Sequence, residues 1–333
     1  MTETATAFAP DDPLDFFIDL HPPVADFRSD VLSGLRDRPR TIPPKYFYDA
    51  DGSALFDAIT TTPEYYVTRT ELSILERIAP EIAARAGRGA VVIEPGSGSS
   101  VKITTLLRAL DRPKAYIGSD ISKQHLVAAC RDLAAEHPGL FVGAVCADFT
   151  VPLDLSELDI PDGRRLVFFP GSTIGNFEPA QAVQVLKNIR SWLRPGDALL
   201  LGADRIKDRA VLQAAYDDAG GVTAAFNLNL LKRIARELDS DIEPADFRHR
   251  AIWNAEKARI EMHLEARRDI AFSVAGERFE MRKGETIHTE NSHKFSVESF
   301  MELAGQAGLM VRDTWSDPAE HFTLYWLERG REA

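Results

Sequence analysis

Ala90-Val91-Val92-Ile93-Glu94-Pro95-Gly96-Ser97-Gly98-Ser99-Ser100 is a short apolar run that gives way to glycines and small residues. Its first four residues have the length and composition of a buried strand, and the Gly-x-Gly after them suits a turn from strand into helix. Glycine at that turn leaves bare backbone open to a ligand at the strand's C-terminal edge. Further apolar runs follow at Ala115-Tyr116-Ile117-Gly118, Phe141 to Val145, Leu166-Val167-Phe168-Phe169 and Leu199-Leu200-Leu201. Helix-length amphipathic segments separate them, among them Ser122 to Glu136 and Pro179 to Leu193, the second opening on a proline suited to a first helical turn. This alternation predicts an α/β fold built on an open, doubly wound parallel sheet.

Outward from that core, Val297 to Ala307 reads as a further helix, and Met310 to Thr314 with Phe322 to Leu327 as a terminal strand pair completing the same sheet. The intervening stretch differs in texture. Helices are expected around Ala210 to Asp239, then strand-like alternation over Ala258 to Ala266, Ile270 to Val274 and Arg278 to Arg282, with a turn at Ala275-Gly276. The segment up to Ala79 reads as helical and loop-rich, with Thr68-x-x-Glu71 ahead of Leu72 as a capping box. The expected division is a cofactor-binding core at 80–204 plus 294–333, and a smaller α+β substrate-binding lobe at 15–79 plus 205–293.

The formal net charge of -12 opposes any wide contact with a phosphate backbone, so nucleic acid is not an expected partner. No stretch approaches the roughly 18 apolar residues of a membrane span. Residues Met1 to Asp15 lack the basic start of a secretory signal, and two cysteines, Cys130 and Cys146, make no disulfide framework. A cytoplasmic monomer acting on a small molecule is the expectation.

Asp120 closes the second strand at the distance where an acid accepts hydrogen bonds from ribose hydroxyls, and Asp148-Phe149 follows the third strand, an acceptor and an apolar wall for adenine. A dinucleotide fingerprint would have a third glycine where Val101 stands, which counts against NAD or FAD. Glu94, just ahead of Gly96 and Gly98, would repel a pyrophosphate and suits a cationic cofactor. S-adenosylmethionine, with its sulfonium and amino groups, is the cofactor expected. Taken alone, each acid reads equally well as structural.

After the fourth strand, Pro170-Gly171-Ser172-Thr173-Ile174-Gly175-Asn176-Phe177 places Asn176 at the sheet's C-terminal edge, where substrates bind in such folds. Other motifs stand far apart: Tyr46-Phe47-Tyr48-Asp49 with Gly52-Ser53-x-Leu55-Phe56, Pro63-Glu64-Tyr65-Tyr66-x-Thr68-Arg69-Thr70-Glu71, and Ala224-Ala225-Phe226-Asn227-x-Asn229-Leu230-Leu231. Glu261-Met262 and Thr289-Glu290-x-Ser292-x-Lys294-Phe295 complete the set. In these segments the chain resembles the ergothioneine-pathway histidine Nα-methyltransferases over nearly its whole length. The resemblance implies a class I methyltransferase (Rossmann-like) core with a substrate lobe. It also implies three successive methylations of histidine's α-amino group to hercynine, with S-adenosylhomocysteine as by-product.

By the same resemblance, Asn176 and Tyr216 hold the substrate carboxylate, Tyr48 and Tyr65 lie near the amine, and Met262 lines the ring pocket. Glu290 and Ser292 read the imidazole, a carboxylate and a hydroxyl engaging its two nitrogens. Asn291 and His293 stand where Ile and Cys are more typical of the family. The plainer alternatives are a turn anchor for Tyr48, an interface aromatic for Tyr65 and a core methionine for Met262. His288 and His293 lack the spacing of a His-Glu-x-x-His helix and read as surface histidines, so no metal is expected. Two other functions share the fold: methylation of another small amine, and cofactor binding without catalysis.

Overall fold

The computed structural model describes residues 12–20, 26–98, 100–155, 158 and 160–330. In chain order the elements are β1 (Phe16–Asp19), α1 (Phe27–Arg36), β2 (Arg40–Thr41), α2 (Ala50–Thr60), α3 (Tyr66–Ala86), β3 (Val91–Pro95), α4 (Ser100–Ala109), β4 (Ala115–Asp120), α5 (Lys123–Glu136), β5 (Phe141–Cys146), β6 (Arg165–Phe169), α6 (Pro179–Trp192) and β7 (Ala198–Asp204). There follow α7 (Arg209–Tyr216), α8 (Val222–Glu237), β8 (Phe247–Asn254), β9 (Arg259–Ala266), β10 (Ile270–Val274), β11 (Glu277–Met281), β12 (Thr286–His293), α9 (Val297–Gln306), β13 (Leu309–Ser316) and β14 (Phe322–Arg329).

The chain forms two compact units. The first takes in β1, Arg69–Arg205 and the described residues from Phe295 onward; the second takes in the described residues up to Thr68 and Ile206–Lys294. The first is the expected doubly wound sheet, with strand order β1-β5-β4-β3-β6-β7-β14-β13. β1, β5, β4, β3, β6 and β7 run parallel, and β14 enters antiparallel against β7. Every residue of β3 and β7 is buried, which is why these strands read as unbroken apolar runs. α6 shows how its sequence sets a helix: Pro179 opens the first turn, the Gln181 side chain accepts from the Glu178 N–H at 3.1 Å, and Ala182, Val185, Leu186, Ile189 and Trp192 form the buried face.

The N-terminal expectation needs correction. Phe16–Asp19 is a strand of the main sheet, paired in parallel with β5 at the register Phe16↔Gly143. A Cβ on Gly143 would lie 2.2 Å from the Phe16 ring, so the glycine makes room for it. α3 begins at Tyr66, so Thr68 is inside the helix, and the Glu71 carboxylate accepts from the Gly171 N–H instead of completing a capping box. Residues 69–79 therefore go with the sheet.

The second unit is built on the sheet β2-β12-β9-β8, with β9 antiparallel to both neighbours. The β10–β11 hairpin turns at Ala275 (φ 51°) and Gly276 (φ 84°), two left-handed residues matching the expected turn. Where β12 pairs with β9, the register slips between His288 and Glu290, a bulge at Thr289. Among the described residues, no helix is long and apolar enough to cross a membrane.

Candidate active site

In the sheet unit, β3 lies between β4 and β6, so the chain leaves it in opposite directions and a crevice opens at the C-terminal strand ends. Gly96 takes φ 72°, and a Cβ there would lie 3.5 Å from the Phe149 ring, so these two expected cofactor residues are brought together. Phe149 packs edge-on against Phe169 and Phe177. Gly98 sits beside His125, whose Nε2 donates to the Gly98 carbonyl at 3.0 Å. Asp120 ends β4 with its Oδ1 accepting from the Ser122 N–H at 2.7 Å, and burial raises its pKa above the ordinary carboxylate value. One oxygen of Asp148 is engaged by its own turn, accepting from the Thr150 N–H at 2.8 Å and hydroxyl at 2.6 Å.

Glu94 is buried inside this cradle. The Tyr116 hydroxyl donates to it at 2.6 Å and contacts Ser97 Oγ at 2.7 Å. Burial pushes the Glu94 carboxyl up to about 8, against the Tyr116 bond and the nearby Lys102 charge, with Glu71 and Asp120 reinforcing the rise. Gly118 keeps space for this network, since a Cβ on it would meet Cys130 Sγ at 2.8 Å and Ser97 Oγ at 3.0 Å. Backbone bared by glycine, beside a Glu94 carboxyl that a nearby positive charge would favour in its ionised form, fits a cationic nucleoside better than a pyrophosphate.

The loop after β6 is anchored from α3. Both oxygens of Glu71, which is fully buried, accept from the Gly171 N–H at 3.0 and 2.9 Å, and Lys102 Nζ pairs with it at 2.6 Å. The Asp204 N–H donates to Ser172 Oγ at 2.9 Å. These bonds set the path into the tight turn Thr173–Asn176, where Asn176 ends half-buried. Lys102→Met would leave Glu71 a buried charge without that cation, at a cost of about 3–5 kcal/mol. A thermal melt should show Tm falling by several degrees, and Lys102→Met with Glu71→Leu should recover much of it.

The expected substrate residues other than Asn176 lie in the second unit. Tyr48 stands edge-on to Phe56, Phe56 to Tyr65, and Tyr65 to Tyr216, with ring centroids 5.7, 6.4 and 6.2 Å apart. Tyr216 and Ser292, expected to serve different ends of a substrate, have hydroxyls 2.7 Å apart. Lys294 Nζ donates to both, at 2.9 Å to Tyr216 and 2.7 Å to Ser292. Glu290 lies directly across from Met262 in the β12–β9 ladder, so the two share a face. Burial raises the Glu290 carboxyl to about 7, and the Lys294 charge restrains the rise.

Asn227 and Asn229 hold this cluster from α8. The Asn227 amide donates to His249 Nδ1 at 2.9 Å, its oxygen accepts from the Thr289 hydroxyl at 2.9 Å, and His249 Nε2 donates to the Tyr216 carbonyl at 2.7 Å. Burial lowers the His249 pKa, which fits a neutral ring donating at one nitrogen and accepting at the other. Asn229 donates to Asp49 at 2.8 Å, beside Tyr48.

A model of the family described as histidine-specific, SAM-dependent methyltransferases matches residues 27–329. The chain belongs to that family. It is 46% identical over 303 residues to the histidine N-alpha-methyltransferase of Mycolicibacterium smegmatis, covering 89% of this chain and 93% of that protein. It is 42% identical over 303 residues to the histidine N-alpha-methyltransferase of Mycobacterium tuberculosis, with the same coverage of each. A 4-dimethylallyltryptophan N-methyltransferase of Epichloe festucae var. lolii is 27% identical over 322 residues, covering 90% of this chain and 93% of that protein. Membership of a SAM-dependent methyltransferase family makes the doubly wound sheet a class I methyltransferase core, as expected.

Asn291 and His293, the two residues expected to be untypical, are placed by the bulge at Thr289. Glu290 and Ser292 pair with Met262 and Ile260 on one face, while His288, Asn291 and His293 pair with His263, Glu261 and Arg259 on the other. The two departures thus face away from Glu290 and Ser292. Nor are His288 and His293 surface residues: His293 is 7% exposed, and the half-buried His288 stacks on His263 with centroids 4.7 Å apart. Glu261, His263 and His288 each bring a possible metal-ligand atom within 4.8 Å of the others. Arg259 pairs with Glu261 at 2.7 Å and, against the effect of burial, it helps Asn254 and His263 hold that carboxyl at about 2. The Arg259 guanidinium therefore already engages the negative charge that this carboxylate would offer to a metal.

Sequence reading missed Tyr116, His125, Glu71 and Lys102 in the first unit and His249 and Lys294 in the second. Lys294 was within reach, since it closes the alternation Glu290-x-Ser292-x-Lys294 on one strand face.

Proposed function

We propose that this chain transfers three methyl groups in turn from S-adenosylmethionine to the α-amino group of L-histidine, forming hercynine for ergothioneine biosynthesis. The observation that carries this reading is the placement of half-buried Glu290, its carboxyl raised by desolvation, beside Ser292 and across from Met262, in a member of a histidine-specific family. Glu94, Gly96, Gly98, Asp120, Asp148 and Phe149 hold the cofactor. Asn176 and Tyr216 take the substrate carboxylate, Tyr65 borders the amine, and Met262 walls the ring. No metal takes part, and the protein acts as a cytoplasmic monomer.

When bound, the cofactor supplies an electrophilic methyl carbon on a sulfonium. The chain's task is to hold a neutral amine in line at a near-attack distance of about 3–3.5 Å, so positioning dominates. Tyr48 accepts a hydrogen bond from the amine and steers its lone pair. The proton leaves to water.

Histidine and S-adenosylmethionine incubated with the protein at pH 8 should yield mono-, di- and trimethylhistidine in sequence by mass spectrometry. Absence of all three overturns the reading. The 4-dimethylallyltryptophan enzyme motivates one alternative, an aromatic amino acid without the imidazole nitrogens. Methylation of tryptophan derivatives but not histidine would favour it.

A further inference from the structure

We propose that Asn227 is a positioning residue for the ring pocket: its amide oxygen pins the bulge at Thr289, and the bulge keeps Glu290 and Ser292 on the Met262 face of β12. The inference rests on the histidine reading above and deepens it.

His288 pairs with His263 and Glu290 with Met262, so Thr289 is the extra residue between them. Were the bulge pulled straight, the ladder would run on with Thr289 opposite Met262 and Asn291 opposite Ile260. Glu290 would then turn to the face of Glu261 and Arg259, and the Asn291 amide would stand where Ser292 now presents its hydroxyl. A bulge interrupts the ladder bonds around it, so a contact from outside the ladder has to hold it. Thr289 is 1% exposed, and its hydroxyl lies 2.9 Å from Asn227 Oδ1 and 3.0 Å from the Met262 carbonyl, two acceptors that share its one hydrogen.

The orientation of the Asn227 amide follows from the acceptors around it. Its nitrogen lies 3.2 Å from the His263 carbonyl, which can only accept, so the NH2 group points there and to His249 Nδ1, leaving the oxygen for Thr289. His249 requires the same arrangement. Its Nε2 lies 2.7 Å from the carbonyl of Tyr216, the last residue of α7, so Nε2 carries the ring hydrogen and Nδ1 the lone pair. Burial keeps that ring neutral, lowering its pKa against the Tyr216 bond and the Asp217 and Asp218 charges. Turning the amide over would set its oxygen against the His263 carbonyl and the His249 lone pair. Asn227, fully buried on α8, therefore holds Thr289 in one sense only, and a single side chain decides which face of β12 meets the substrate ring.

The test compares wild type, Asn227→Leu, Thr289→Val and Thr289→Ser, each alone and with Glu290→Ala, by kcat and KM for histidine at pH 8.5. Thr289→Val keeps the size and branching of threonine and should raise KM about tenfold, with a smaller change in kcat. Asn227→Leu should raise it at least as far, and S-adenosylmethionine affinity should stay within about twofold in both. Loss of folded protein alone would lower the apparent kcat and leave KM where it was. Thr289→Ser keeps the hydroxyl and should lose much less than Thr289→Val. In the Glu290→Ala background the effect of Thr289→Val on kcat/KM should shrink to about threefold or less, because most of it passes through Glu290. An unchanged KM in Asn227→Leu or Thr289→Val, an equal loss in Thr289→Ser, or an undiminished factor beside Glu290→Ala would overturn the inference. If Asn227→Leu does not fold, as judged by its melt, Asn227→Ala replaces it with the same criteria. Failure of wild type to methylate histidine removes the functional reading, whereas normal wild-type turnover with indifferent variants removes only the role of Asn227.

Discussion

Replacing Glu290 with alanine is expected to lower kcat/KM for histidine by about 10³-fold, mostly through KM, while cofactor affinity stays within about twofold. The size follows from burial. Glu290 is half-buried, and its carboxyl, raised by desolvation to about 7, ionises near neutrality. On the proposed reading it accepts an imidazole N–H above that pH through a charge-assisted bond, which partial desolvation strengthens. Alanine leaves that N–H with no partner and opens a hole beside Met262. Glu290→Gln should lose less, because an amide oxygen still accepts, and it should lose the pH dependence with it. Wild-type KM should therefore rise as pH falls through 7, and the glutamine variant's should rise less. Steady-state kinetics at pH 6.5 and 8.5 decide this. A histidine kcat/KM within tenfold of wild type for Glu290→Ala would remove Glu290 from the ring pocket.

How much of this was legible in the sequence depended on how each strand is buried. β3 to β7 stood out because they are covered on both faces, so apolar residues run on without a break. β12 did not: Thr286–His293 has one aliphatic residue, Ile287, and its strand character comes from the ladder with β9. The bulge at Thr289 then changes which residues share a face, and a period of two cannot foresee it. That one residue separates Glu290 and Ser292 from Asn291 and His293. β1 was invisible for another reason, since four residues carry little pattern, and its partner strand holds the clue in Gly143. The separated motifs held Tyr48, Tyr65, Glu290 and Ser292, the resemblance added Tyr216, and the fold gathers these into one unit. What no motif disclosed was the coupling among them: the Lys294 triangle, and the Asn227 amide joining His249 to Thr289. Apart from the Lys294–Ser292 bond, these join residues far apart in the chain.

Glu94→Gln should stabilise the ligand-free protein at pH 8.5 by several kcal/mol and change it little at pH 5. The sign follows from the raised pKa. Unfolded, the carboxyl loses its proton near 4.5; folded, burial holds the proton until about 8. Between those values the unfolded chain binds fewer protons than the folded one, so stability falls as pH rises across the window and levels off above it. A span of this size corresponds to an upper figure of about 4–5 kcal/mol, at about 1.4 kcal/mol per unit. Glutamine keeps an oxygen for the Tyr116 hydroxyl and never ionises, so the penalty vanishes. Glu290 contributes a similar fall that ends near 7, but it is present in both proteins and cancels in the difference. Melts of the two proteins should coincide at pH 5 and separate steadily toward pH 8.5; parallel curves would mean that Glu94 is not held protonated by burial. A cationic cofactor near Glu94 should reverse the trend in binding. Wild type should bind S-adenosylmethionine more tightly as pH rises, because the ligand's charge favours the ionised carboxyl. The glutamine variant, with nothing to ionise, should bind it weakly and almost independently of pH, and calorimetry at pH 6.5 and 8.5 separates the two.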